Sequence, residues 1–297
     1  MATQKKFNEG KACDAVIKRI EAREGSARSN VQFPEQVNHA APVELVCDIG
    51  EWTYAFEHTG IEPFHGHVQL QVEAEAQLRP IKDALASALP MTENFELQIP
   101  LKAMEGLKGK NLKKAQQSII EWVKKSASTL PIAGIGRYVM PISKVSLPDL
   151  PFEVSLHRST TGGYRNGIFK VGHLVNGATL EDERLERIRD AYSRKWPKLA
   201  AWRRAAGARL ILIFEENDIQ LTNPQLVADA IALIEKDVTE KPDEIYLVTT
   251  SINDPWWIWA MRIDSEDYYT LCASQKSMTE VSPSSLLDLT HPQVKRK

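Results

Sequence analysis

Acidic residues that alternate along two neighbouring apolar runs are the first groups in this chain with the makings of a site. The segment Pro42-Val-Glu-Leu-Val-Cys-Asp-Ile-Gly-Glu-Trp-Thr-Tyr-Ala-Phe-Glu-His-Thr59 reads as two short strands, 43–49 and 52–59, folded about Gly50-Glu51 as a tight hairpin. In that register Ile49 faces Trp52, Cys47 faces Tyr54 and Leu45 faces Phe56, so one face is wholly apolar. The other face carries Glu44, Val46 and Asp48 on one strand and Thr53, Ala55, Glu57 and Thr59 on the next, with Glu44 directly across from Glu57. Two carboxylates so placed repel unless something positive lies between them. A divalent metal meets that demand, since Mg²⁺ takes one or two protein carboxylates together with water and phosphate. Asp48 is a poorer partner for Glu57, because four residues of strand put roughly 13 Å between their rows. Solvent-facing residues of an exposed sheet would show the same alternation.

Other groups carry weaker signals. His58, His65 and His67 lack the spacing and supporting ligands of a zinc site, and His58 falls on the apolar face of the hairpin. Thr160-Thr-Gly-Gly163 has no lysine after its glycines and reads as a turn rather than a phosphate cradle. Between 184 and 209 the bases are Arg184, Arg187, Arg189, Arg194, Lys195, Lys198, Arg203, Arg204 and Arg209, against only Glu186 and Asp190. Such a run can neutralise phosphates, or it can be a solvated helix face paired with Glu181, Asp182 and Glu183. A second basic group comprises Lys108, Lys110, Lys113, Lys114, Lys124 and Lys125. Trp256-Trp-Ile-Trp259 reads as core and sheet-edge packing.

The elements that must position these groups follow from periodicity. Cys13, Val16, Ile17 and Ile20 recur at helical spacing over 11–23, and Glu9 lies four residues before Cys13 on the same face. Polar residues and Pro34 then read as a loop. Residues 68–89 are partly helical with a break at Pro80, 95–101 strand-like, 112–125 helical, and 152–157 and 168–174 strands. From 180 the pattern alternates: a helix to 206 interrupted at Pro197, an apolar strand from Arg209, a helix over 225–236, a strand from Glu244 and a last strand over 256–263. Alternating helices and buried strands imply a largely parallel sheet covered on both faces. The tail from Cys272 reads as loosely held.

Composition bounds the rest. The 297 residues are 43% hydrophobic and 26% charged, which is enough for a sizeable core and excludes a disordered or fibrous chain. A formal net charge of -2 excludes a globally basic nucleic-acid binder but permits a local basic patch. The three cysteines, Cys13, Cys47 and Cys272, have no paired spacing and read as reduced thiols of a cytoplasmic protein. No signal-like run opens the sequence, and none approaches the ~20 apolar residues of a membrane helix.

An acidic residue on a helix, an acidic residue on a strand, a turn, and a Glu in a Glu-x-Lys position on the next strand resembles the PD-(D/E)XK, or restriction-endonuclease-like, nuclease superfamily. Order and spacing are most similar to its archaeal Holliday-junction resolvases. The resemblance implies that Glu9, Glu44 and Glu57 ligate Mg²⁺ (or Mn²⁺) and that a lysine positions the attacking water. Glu44 stands where the usual Asp would be, and Thr59 stands in the lysine position. Members of the superfamily move that lysine to a neighbouring helix, where Lys195 and Lys198 are available and Lys198 is preferred. The expected fold is α/β, a mixed central sheet flanked by helices with a restriction-endonuclease-like core (1–63 and 177–297) and a large α+β insertion (64–176). The expected function is Mg²⁺-dependent hydrolysis of DNA phosphodiester bonds. A non-catalytic nucleic-acid-binding or protein-interaction module on the same fold is the alternative.

Overall fold

A computed structural model describes residues 7–37, 42–90, 93–100, 103–130, 142–148, 150–159, 169–174, 180–219, 222–251, 254–264, 268–270 and 278–289. The chain divides into two compact units, Gly66–Ala178 and Lys6–His65 with Thr179–Lys297. Thr160-Thr-Gly-Gly163 and Cys272 lie outside the described residues.

In the larger unit a seven-stranded mixed sheet has the order β1-β2-β3-β8-β9-β10-β11. Its strands are β1 (Arg28–Gln32), β2 (Leu45–Ile49), β3 (Trp52–Gly60), β8 (Arg209–Glu216), β9 (Glu244–Thr249), β10 (Trp256–Ile263) and β11 (Met278–Val281). β3, β8 and β9 run parallel to one another, and the remaining pairings are antiparallel. The sheet is thus mixed rather than largely parallel. The central strands explain its burial. Along β8, Ile211 and Ile213 join a core with α1 (Glu9–Glu24), whereas Leu210, Leu212 and Phe214 join the opposite core with α4 (Leu180–Ala206) and α5 (Pro224–Glu235). A strand apolar on both faces can only be stable with helices on both sides. On α1, Cys13, Val16, Ile17 and Ile20 supply the inward face, as their spacing requires.

The hairpin folds in the expected register: Leu45 pairs with Phe56, Cys47 with Tyr54 and Ile49 with Trp52. Gly50 closes it at φ +62°, a conformation that costs other residues more. Elsewhere the structure departs from the periodicity reading. Residues 28–32, expected as loop, form the edge strand β1; an edge strand with mostly exposed side chains carries no apolar alternation to be recognised. Pro80 and Pro197 both sit inside continuous helices, α2 (His67–Ala86) and α4. Apolar faces such as Leu78, Ile81 and Leu85, or Leu199 and Trp202, dock across the position and hold each helix together despite the lost hydrogen bond. Nor is the tail from 278 loose. β11 pairs with β10, Leu286 and Leu289 are buried, and the Leu287 amide donates to the fully buried Asp14 at 2.8 Å.

The smaller unit holds α2, β4 (Asn94–Pro100), α3 (Gly109–Ala127), β5 (Ile142–Ser146), β6 (Glu153–Ser159) and β7 (Phe169–Leu174). Its sheet runs β5-β6-β4-β7, with β4 and β7 parallel. Phe95, Leu97 and Ile99 alternate along β4 into a core shared with Leu78 and Ile81 of α2 and Ile119 and Val123 of α3. Among the described residues, no helix is long and apolar enough to cross a membrane.

Candidate functional site

Glu44 directly precedes β2 and Glu57 lies mid-β3, so the hairpin register carries the two carboxylates toward each other on the face covered by α4. An ammonium lies between them. Lys195 Nζ stands 2.6 Å from Glu44 Oε1 and 2.7 Å from Glu57 Oε2. A lysine from α4 thus supplies positive charge between the two facing carboxylates. Lys198, one turn further on, stands 3.5 Å from Glu57 Oε1 and 3.3 Å from Glu35 Oε1. Lys195 therefore lies closer to the paired carboxylates than Lys198, the residue preferred from sequence. Both lysines share a face because they are three residues apart on one helix.

The carboxylates are strained electrostatically. Burial pushes the carboxyl of Glu44 up to about 7, against the pull of His58 and Lys195. Burial also raises Glu57, whose side chain is fully enclosed, while Lys195 and Lys198 pull it down. Burial alone would lower Lys195; Glu44 and Glu57 outweigh it and hold the ammonium above its ordinary range. The two acids thus favour the charged form of the lysine between them.

His58 points to the opposite face of the sheet, as β3 alternation dictates. Its Nε2 meets Glu215 Oε2 at 3.0 Å, and its backbone N–H donates to Glu44 Oε2 at 2.6 Å. Glu215, on β8 beside β3, is buried and fully engaged. It accepts from the Asn8 amide at 2.7 Å, the Asn8 side chain at 2.8 Å and Thr250 Oγ1 at 2.9 Å. Asn8 is the residue before the first turn of α1, so this lock fixes where Glu9 begins the helix. Ahead of it the Phe7 ring lies against Gly60, where an added Cβ would come within 2.1 Å of the ring. The outcome is convergence: one ligand atom each from Glu9, Glu44 and His58 lies within 4.8 Å of the others. Among the described residues no other group of three potential ligands gathers this way. A small recess lined by Glu9, Cys13, Phe33, Glu44 and Leu289 opens beside them. Burial, then the charges of Glu44, Glu9 and Glu57, pushes the Cys13 thiol up.

Of the sequence-predicted ligands, Glu9 and Glu44 meet, whereas Glu57 faces the lysines and lies outside the three-residue cluster. Two residues of this site carry little site signal in the sequence: His58 falls on the apolar face of the hairpin, and Glu215 is marked only as a carboxylate that closes the apolar run Leu-Ile-Leu-Ile-Phe. His65, in the larger unit, is exposed, and His67, in the smaller unit, is buried. Several bases of the 184–209 run form ion pairs, Lys195 and Lys198 as above, Arg203 of α4 with Asp243, and Arg209 at the start of β8 with Glu244 and Asp264. Arg189, Arg194 and Arg204 remain exposed, as do Lys108, Lys110, Lys113, Lys124 and Lys125 around α3. The tryptophans pack as expected, with Trp256 buried and Trp259 Nε1 donating to Thr249 at 3.0 Å.

Comparison of the chain with protein-family models, with curated proteins and with solved structures finds no match.

Proposed function

We propose that the chain is a divalent-metal-dependent nuclease of restriction-endonuclease-like architecture that hydrolyses DNA phosphodiester bonds. The observation that carries this reading is the Lys195 ammonium held between Glu44 and Glu57. A lysine supplied by the following helix compensates for Thr59 in the strand position, and the element order supports the same reading: an acid-bearing helix, a three-stranded antiparallel run, a helix, and a strand parallel to the third.

The donor chemistry around Glu9 and Glu44 fits a small divalent cation. Two carboxylates converge on one point, and Glu44 retains lone pairs beyond those given to Lys195 and His58. Glu9 and Glu44 would hold the ion, Mg²⁺ or Mn²⁺, which when bound supplies positive charge to the attacking water and to the scissile phosphate. The chain's own residues do the remainder. Glu57 fixes the ammonium of Lys195 by charge. Lys195 donates to the attacking water and offsets charge gathering on the phosphate oxygens. In the reaction the water oxygen bonds to phosphorus, the bond to the leaving ester oxygen breaks, and that oxygen takes up a proton. Exposed bases on α4, Arg189, Arg194 and Arg204, supply electrostatic attraction for a polyanion.

A second reading rests on the same ion pairs together with Lys198, which also contacts Glu57 and Glu35. Glu44 and Glu57 neutralised by two lysines form a structural ion-pair network, which suits a non-catalytic nucleic-acid-binding or protein-interaction module. Incubating the purified chain with single-stranded, duplex and branched DNA in Mg²⁺ or Mn²⁺, beside Glu57→Ala and Lys195→Ala, separates the two. Cleavage lost in both variants is expected. Cleavage undiminished in the variants sinks the proposed site, and retention of DNA without cleavage under either ion favours the binding module.

A further inference from the structure

The metal reading above leaves open which third side chain completes the ligand set, and the two faces of β3 decide it. Glu57 spends its carboxylate on Lys195 and Lys198 on the α4 face. His58, the next residue, is turned to the α1 face, and at the strand end, where Glu44 precedes β2 and reaches both Lys195 and the His58 backbone, a ring nitrogen, Glu9 and Glu44 gather within 4.8 Å. We propose that Glu9, Glu44 and His58 are the protein ligands of one mixed-donor centre that prefers Mn²⁺ to Mg²⁺, and that Glu215 is its positioning residue.

Two arguments support the choice of ion. Mg²⁺ is a hard cation that demands oxygen ligands, whereas an imidazole donor shifts a site toward first-row transition ions. Mn²⁺ is the member of that series that also accepts carboxylates and water readily. A third argument concerns geometry. A ligating histidine commonly donates its other ring N–H to a carboxylate, which fixes tautomer and orientation. His58 Nε2 stands 3.0 Å from Glu215, so the tautomer that donates there leaves Nδ1 with the lone pair. The same carboxylate holds Asn8 through two hydrogen bonds of 2.7 and 2.8 Å. One buried group on β8 therefore sets two ligands on two other elements, His58 on β3 and Glu9 in the first turn of α1. Thr250 holds that group from the neighbouring strand at 2.9 Å.

The proposal rests on the reading of this site as metal-binding, and its test does not depend on catalysis. Titration of the full-length chain with Mn²⁺ and with Mg²⁺ by calorimetry, with pulsed EPR of the Mn²⁺-loaded protein, gives both affinity and ligand identity. The expected result is tighter binding of Mn²⁺ than Mg²⁺ by at least about tenfold, with nitrogen modulation from a coordinated imidazole. His58→Asn should abolish the modulation and the preference. Glu215→Ala should weaken Mn²⁺ about 10- to 100-fold, and Glu215→Gln, which keeps one acceptor oxygen, should fall between it and the parent. Glu57→Gln should leave Mn²⁺ affinity within about threefold while abolishing cleavage. Circular dichroism of each variant identifies any that does not fold, and the nitrogen signal of the parent decides the ligand even then. Absence of nitrogen modulation, or loss of Mn²⁺ on Glu57→Gln with none on His58→Asn, overturns the proposal. Mn²⁺ bound as described without cleavage of any DNA would leave the centre standing and remove the nuclease reading; cleavage insensitive to His58 and Glu215 would do the reverse.

Discussion

At the scale of single residues the decisive contrast is between two lysines one turn apart. Lys195 contacts both carboxylates at hydrogen-bonding distance, whereas Lys198 is further from Glu57 and divides its charge with Glu35. Lys195→Ala is expected to reduce single-turnover cleavage of a labelled oligonucleotide by about 10²- to 10³-fold, the usual cost of removing one preorganised charge from a transition state. Lys198→Ala should cost less than about tenfold. Equal losses in the two variants would argue that the lysines act as a general basic field instead of one placed ammonium. The sequence exposed the need for a positive group between Glu44 and Glu57, and the family resemblance pointed to Lys195 and Lys198; which of the two lies between the acids depends on how α4 docks, and that helix lies more than a hundred residues downstream.

At the scale of elements, the site depends on how α1 enters the sheet. The Asn8 contacts to Glu215 and the seating of Phe7 on Gly60 fix the first turn, and the apolar stripe of α1 fixes the remainder. Gly60→Ala places a methyl where the Phe7 ring lies, so the ring and the chain behind it must move. Urea unfolding should show a loss of about 1–3 kcal/mol, the range typical of overpacking, and calorimetry a weaker Mn²⁺ affinity, since Glu9 follows two residues later. An unchanged affinity would show that the first turn is held by Glu215 alone. The hairpin and α1 were legible from sequence because each pairs one apolar face with one polar face. β1 was not, since an edge strand of exposed polar residues lacks that pattern, and the prolines of α2 and α4 misled because tertiary docking overrode a local preference.

For the molecule as a whole, buried charge and surface charge make separate predictions. Glu216, fully buried at the end of β8, has its carboxyl raised to about 8 by burial. The native state therefore keeps a proton that the unfolded chain releases near the ordinary glutamate value of about 4.3, and stability should fall as pH rises from there through about 8. Chemical denaturation in a chelator-containing buffer across that range should show the decline, and Glu216→Gln should make it shallower, the raised carboxyls of Glu44 and Glu57 keeping the remainder; an equal slope in the variant would place the titration elsewhere. On the surface, exposed Lys110, Lys113, Lys124 and Lys125 lie on α3 of the smaller unit. Reversing all four to Glu should weaken DNA binding more than tenfold at low salt, reduce the salt dependence and leave the unfolding midpoint unchanged. A binding isotherm insensitive to the reversal would exclude this helix from the contact.

The sequence by itself determined the local patterns: the hairpin and its register, the inward face of α1, the buried strands from Arg209 and Glu244, and the opposition of Glu44 to Glu57. These follow from side-chain periods of 2 and 3.6 residues, which any segment carries within itself. Only the tertiary structure decided which groups meet. Lys195 reaches the acids because α4 crosses β3, Glu215 reaches His58 because β8 pairs beside β3 in parallel, and Glu9 is placed by that same carboxylate through Asn8. Contacts between residues some 150 to 200 positions apart have no period in the sequence, and they arise only when the packing of both sheet faces brings the strands and helices into register.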